Sequence, residues 1–322
     1  MRDTDYAFCV TRIRANETKL LSADFINKLV DAADYDGAIS LLVGAGWIET
    51  GTEDENFIRM QSKRLWTLLE ESVPDKNVLD CLCILNDYYN IKTAIKCIIS
   101  GENADLFYIE PTTLDLERLS DSIDSRSFDV FKNPSMKSVA KNAFEIACTT
   151  NNGHIAETIV DVAALEALLD ISKTSKYKAF SKICSFTVDA SNIRTAIRCA
   201  NIGKDADFVK SAISSCSRIN KEKLIAATAA DKEQLKAYVS SSEYAEGAEL
   251  YYSNPALYDK WFDEKILKIA TQSAFSAFGF DPVCAYFYKK TNEIKTVKMI
   301  LSAKKAGIPS DMLRERVKVA YV

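Results

Sequence analysis

Glycine and proline are scarce. The chain of 322 residues holds 10 Gly and 6 Pro, about 5% together where an ordinary protein carries about 12%. So few breakers argue against a β-sandwich and favour long helices with short connections. Histidine occurs once, as His154, which excludes any site needing two imidazoles, the helical HExxH zinc motif included. Excess positive charge is missing as well. With 41 Lys and Arg against 45 Asp and Glu the formal charge is −4, which gives no electrostatic case for nucleic acid. The longest nearly apolar run, Ala38 to Ile48 with Ser40 inside it, has 11 residues, and crossing a bilayer takes about 20. Acidic residues, Asp3 and Asp5, stand where a signal peptide would carry positive charge. The expectation is a soluble intracellular protein that can still dock onto a membrane protein.

Phosphate and nucleophile motifs are absent too. There is no GxxxxGK[ST] and no GxSxG, and Gly44-Ala-Gly46 runs into Trp47 where a dinucleotide turn needs a further glycine. His154 stands in Asn151-Asn-Gly-His154, a turn-like stretch suited to a surface loop. Nine Cys are present and none forms CxxC. Cys81 and Cys83 would point about 200° apart on a helix. The cysteines therefore read as reduced, mostly buried small hydrophobes. The expectation is a non-catalytic protein with no cofactor, no metal, no nucleic acid and no small-molecule substrate.

What is present is a repeat. Asp87-Tyr-Tyr-Asn90-Ile91-Lys92-Thr93-Ala94-Ile95-Lys96-Cys97 returns as Asp189-Ala-Ser-Asn192-Ile193-Arg194-Thr195-Ala196-Ile197-Arg198-Cys199, at an offset of 102. Over residues 87–107 and 189–209, ten of 21 positions are identical, where composition alone gives about one or two. A fainter third copy reads Glu293-Ile294-Lys295-Thr296-Val297. Gly101, Gly203 and Gly307 follow the three copies as helix stops, and after each comes Ile-x4-Leu: Ile109 and Leu114, Ile219 and Leu224, Ile308 and Leu313. Three units of about 100 residues nearly fill the chain, too long for the common solenoid repeats of about 20–50 residues.

Each copy reads as helix. Ile84, Tyr88, Ile91, Ile95 and Ile98 form one apolar stripe, and Phe186, Ala190, Ile193, Ile197 and Ala200 form its counterpart. Ser22-Ala-Asp24 predicts a helix from Phe25 to Leu42. Residues 161–169 and 261–278 read as further amphipathic helices, and Pro134, Pro255 and Pro282 mark helix starts. No segment alternates with period two, so almost no sheet is predicted. The fold class is all-α, with three pseudo-threefold-related helical bundles over residues 1–120, 121–228 and 229–322 that share helices at their borders.

Lys92 and Lys96, like Arg194 and Arg198, are four apart and share a helix face, where like charges repel by a few tenths of a kcal/mol, ~0.3. Lys295 and Lys298 are the less regular third pair. One reading pairs these cations with acids such as Asp87 and Asp189 on neighbouring turns. The other faces all six toward a partner. Asp87 with Asn90, and Asp189 with Asn192, read as hydrogen-bonding pairs between helices.

The repeated Asp-x-x-Asn-Ile-Lys/Arg helix, the closing Asn292-Glu293-Ile294-Lys295 and the C-terminal Ile308-Pro-x-x-x-Leu313-Arg314-Glu315-Arg316 resemble the C subunit of the bacterial and archaeal V/A-type ATPases, counterpart of the d subunit of the eukaryotic vacuolar pump. Tyr6-Ala7, Arg12, Arg14, Leu20-Leu21 and the run from Leu41 to Trp47 are similar to that family's opening. The third copy departs most, with Glu293 where the others have Asn and Met299 where they have Lys96 and Arg198. The resemblance implies a funnel-like body of three bundles around a central cavity. It implies no nucleotide site, a place between the central rotor stalk and the membrane proteolipid ring, and mechanical coupling of ATPase to H+ or Na+ transport. The alternative from the residues alone is a helical scaffold unrelated to ion pumping.

Overall fold

The computed structural model describes residues 2–49, 56–150, 152–272 and 274–317. Among them there is no strand, and the α-helices in chain order are α1 (Ala7–Glu17), α2 (Ala23–Asp31), α3 (Tyr35–Gly44), α4 (Asn56–Ser72), α5 (Lys76–Ser100), α6 (Leu116–Asp124), α7 (Pro134–Thr150), α8 (Gly153–Thr174), α9 (Lys178–Asn201), α10 (Ala206–Ala212), α11 (Lys221–Ala230), α12 (Lys232–Ser240), α13 (Ala245–Ser253), α14 (Pro255–Gln272), α15 (Asp281–Lys305) and α16 (Ser310–Arg316). The repeated sequence lies on the long helices α5 and α9, and its third copy on α15.

Two compact units result. The first gathers Met1–Asp75, Tyr177–Ile183 and Glu249–Val322. Its core is built on α15, whose Ile294, Val297, Ile300 and Leu301 pack with Ile26 and Leu29 of α2, Leu42 of α3, Trp47 and Phe57. Each such side chain, fully buried, contributes about 1.5–3 kcal/mol. A second group joins Tyr6, Tyr177, Phe180 and Phe280, with the two tyrosine hydroxyls 2.8 Å apart. Burial and that shared hydrogen bond push the Tyr6 hydroxyl far above the ordinary range. The other unit is Lys76–Lys176 with Cys184–Ala248. Here α5 packs on α6, α7 and α8, and its stripe of Ile84, Tyr88, Ile91 and Ile95 is buried as the periodicity predicts.

Helix ends follow local chemistry. Gly101, Gly203 and Gly307 have φ of +75°, +66° and +68°. In each case the next N–H reaches back to a carbonyl in the last helical turn, Glu102 to Cys97 at 3.0 Å, Lys204 to Cys199 at 3.0 Å and Ile308 to Ala303 at 2.9 Å. This is the glycine-closed helix end that the sequence announces three times. Pro134 and Pro255 open α7 and α14, and Pro282 is the second residue of α15.

Four expectations need correction. The helix predicted from Phe25 to Leu42 is broken into α2 and α3, because Ala32 turns extended at ψ 138° and Asp34 caps the next helix by accepting from Gly37 N at 2.8 Å. The helix predicted over 261–278 stops at Gln272, and α8 runs well past both ends of 161–169. His154 lies in the first turn of α8, exposed, behind the cap made by Asn152, while Asn151 is outside the described residues. Six of the nine cysteines, Cys9, Cys83, Cys97, Cys184, Cys199 and Cys284, are buried, as predicted for most of them.

Candidate functional site

The repeated polar residues are buried inside their helices and hold loops. On α5, Asp87 and Asn90 are 1% and 0% exposed. The Asn90 amide donates to Ile109 O at 2.9 Å and its oxygen accepts from Ile109 N at 2.9 Å. One amide thus satisfies both polar groups of one residue in the loop after α5. Asp87 accepts from Thr113 N at 2.8 Å, from the Thr113 hydroxyl at 2.6 Å and from the Thr112 hydroxyl. Asn86, one residue earlier, donates to Pro111 O at 2.8 Å. The loop between α5 and α6 is fastened to the middle of α5.

The second copy repeats the arrangement. Asn192 accepts from Ser214 N at 3.0 Å and donates to the Ser214 hydroxyl at 3.0 Å and to Ser214 O at 3.4 Å. Asp189 accepts from Ser217 N and Arg218 N, both at 2.7 Å, and from the Tyr244 hydroxyl at 3.2 Å. Burial pushes both aspartates above the ordinary carboxyl value of 3.8, against the pull of their hydrogen bonds. Cys216, beside Asn192, is pushed up to about 12 by burial and by the Asp189 charge.

The third copy keeps the position and changes the chemistry. Aligning Ile294-Lys295-Thr296 on Ile91-Lys92-Thr93 sets Glu293 at the Asn position and Lys290 at the Asp position. Glu293 is fully buried. It accepts from Leu21 N at 2.7 Å, from the Trp47 indole N–H at 2.8 Å and from Lys290 Nζ at 2.5 Å. Lys290 also lies 5.5 Å from the centre of the Trp47 ring, a geometry that adds cation–π attraction. The seated segment is the one leading into α2. In chain order, α5 holds the loop before α6, α9 the loop before α11 and α15 the segment before α2, so the series returns to its beginning.

The sequence reading placed these contacts imperfectly. The Ile-x4-Leu register equates Ile109 with Ile219 and Ile308, whereas the residues seated at the Asn position are Ile109, Ser214 and Leu21. Asp87 and Asp189 read as salt-bridge partners of the cations on neighbouring turns, yet they face loops. They also bond helix to loop rather than helix to helix. Lys290 and Ser214 were missed, and Ile109, Leu21 and Trp47 were singled out without their place in the joints. The register of Lys290 against Asp87 is the one signal that pointed to the charge change.

The six candidate cations are set out differently in the three copies. Lys92 pairs with Asp161 at 2.6 Å and Lys96 with Glu157 at 2.5 Å, both acids on α8 and themselves four apart. The repulsion of two like charges on one face is thereby offset by a matched acidic face. The hydrogen bond to Glu157 raises the Lys96 pKa. Burial acts against ionisation of Glu157, but hydrogen bonds from Lys96 and His154 leave its pKa lowered. Arg194 and Arg198 are exposed on α9, and Lys295 and Lys298 are exposed on α15. Desolvation lowers the Lys295 pKa, against the pull of Asp259.

Among the described residues no three His, Cys, Asp or Glu side chains are grouped to hold a metal ion, and no helix is long and apolar enough to cross a membrane. A shallow groove between α1 and α4, lined in part by Arg12, Met60, Lys63 and Leu68, has no serine or cysteine in its wall. The chemistry gathered by the repeat is therefore hydrogen bonding that fastens loops to long helices.

Comparison with known proteins fits this picture. Residues 9–316 match the ATP synthase (C/AC39) subunit family. The C subunit of the V-type sodium ATPase of Enterococcus hirae is 22% identical over 320 residues, covering 96% of this chain and 97% of that protein.

Proposed function

The chain belongs to the ATP synthase (C/AC39) subunit family, and from that premise we propose that it is a non-catalytic central-stalk subunit of a V/A-type rotary ATPase. In this role it joins the rotor stalk of the ATPase head to the proteolipid ring and carries torque between them for transport of H+ or Na+. It is held at the cytoplasmic face of the membrane by the other subunits. The observation that carries the reading is the repeated joint. A part that transmits force must resist bending where helices give way to loops, and in this chain the three repeat helices α5, α9 and α15 each grip a connecting segment through buried hydrogen bonds. Losing one partner of such a bond leaves a buried polar group unsatisfied, at about 1–3 kcal/mol each. Packed helices stiffened in this way suit a spacer better than a binding site.

The cyclic order of the joints supports an arrangement of three pseudo-threefold bundles over residues 1–120, 121–228 and 229–322 that share helices and enclose a funnel-like hollow. Lys295 and Lys298, with Arg194 and Arg198, then supply cations toward acidic side chains of the stalk. Lys92 and Lys96 join that set only by leaving Asp161 and Glu157. Two experiments test the reading. Tagged protein purified from native membranes should bring stalk and ring subunits with it, and recovery of neither contradicts the role. Replacing Arg198, Lys295 and Lys298 together by Glu should weaken stalk binding, more at low salt than at high salt. Affinity unchanged at both salt levels would remove the cations from the interface.

A further inference from the structure

We propose that Lys290, Glu293 and Trp47 make a chemically private joint, so that α15 accepts the Leu21 segment and neither of the other two loops. The common joint reads a donor and an acceptor together. Asn90 pairs with both Ile109 N and Ile109 O, and Asp87 then takes three donors from Thr112 and Thr113. The α15 joint reads donors alone, from Leu21 N and the Trp47 indole, with Lys290 supplying the countercharge inside the site. Trp47 is fixed for the purpose at its backbone, where its N–H reaches Leu42 O at 2.9 Å and its carbonyl accepts from Gln61 at 2.5 Å.

Exchange of loops fails in either direction. Were the 109–113 loop set on α15, the Ile109 carbonyl would meet the Glu293 carboxylate. The threonine donors would meet an ammonium. Were Leu21 and Trp47 set against Asn90, the indole N–H would face the amide N–H of Asn90, donor against donor. Such clashes of buried, unpaired groups discriminate strongly between otherwise similar partners. A chain with three related helices and three segments to seat has a register to choose, and the change at positions 290 and 293 fixes it at the joint between segments 272 residues apart. The joint's chemistry is independent of the coupling role proposed above.

The reversed pair Lys290→Glu with Glu293→Lys tests this in the full-length chain, with amide hydrogen exchange as the readout. It keeps an ion pair but turns an ammonium toward Leu21 N and the indole. Exchange at Leu21 should quicken about tenfold or more, while Ile109 and Ser214 keep their protection. Neutral near-isosteres, Lys290→Met with Glu293→Gln, set an amide N–H beside the indole and should also quicken it, whereas adding Trp47→Phe removes the opposing donor and should bring exchange at Leu21 back within about threefold of the parent. This second variant serves even if the reversed pair does not fold. Full protection of Leu21 in the reversed pair or in the neutral pair, or no recovery when Trp47→Phe is added, would overturn the proposal.

Discussion

Helices α5 and α15 are both 25 residues long and both end on a left-handed glycine, Gly101 and Gly307. At the same two positions α5 buries an acid and an amide, and α15 a base and an acid. The difference teaches that the position is dictated by the helix, whereas the residue is dictated by what is seated on it. A loop offering N–H and C=O of one residue calls for an amide. A backbone N–H beside an indole N–H calls for an acceptor with two oxygens. A lone carboxylate in that place would be costly to bury, and Lys290 offsets it at hydrogen-bond range.

The comparison can be broken at several depths. The largest effect is expected from Glu293→Ala, which strands the Lys290 ammonium and two donors at once. Urea unfolding should show a loss of about 3–5 kcal/mol. Asp189→Ala, on the common joint, leaves Ser217 N, Arg218 N and the Tyr244 hydroxyl without their acceptor but strands no charge. It should cost about 2–3 kcal/mol by the same measurement. A larger loss for Asp189→Ala than for Glu293→Ala would invert the account of the two joint types.

Acidity sharpens the same contrast. Burial raises Asp87 and Asp189 above 3.8, so the folded chain keeps their protons at pH values where the unfolded chain has released them. Stability from these two groups is therefore fully present below 3.8 and is lost as pH rises through their raised values. Thermal midpoints of the parent, taken relative to a variant with Asp87→Asn and Asp189→Asn, should decline as pH rises above about 4. A flat difference would mean that these carboxyls are not desolvated.

Gly101→Ala probes the shared helix end. No atom lies within 4 Å of the added Cβ and φ is +75°, so backbone strain alone should cost about 1 kcal/mol. The smallest effect belongs to Lys92→Met. The Asp161 side chain is 59% exposed, and an ion pair of this kind contributes about 0.2–1 kcal/mol at most.

Much of this was legible because it is local. The stripe of Ile84, Tyr88, Ile91 and Ile95, the three glycine stops and the prolines at helix starts depend on neighbours within a few residues. Ser22-Ala-Asp24 was legible as a helix opening, and the Ser22 hydroxyl accepts from Phe25 N at 3.2 Å. The break at Ala32 was hidden, since no glycine or proline marks it and only the Asp34 side chain creates it. The joints were half legible. Repetition exposed Asp87, Asn90, Asp189 and Asn192, but what they hold depends on a loop whose length changes from copy to copy. The seat of Leu21 on α15 carries no side-chain signal, because its contribution to the joint is a backbone N–H.

The coupling role is tested most directly by assembling the rotary complex in sealed vesicles with and without this chain, and measuring ATP hydrolysis and ion uptake together. The account predicts that omission leaves hydrolysis by the soluble head largely intact and abolishes uptake, and that adding the chain back restores uptake. Uptake undiminished in its absence would contradict the account.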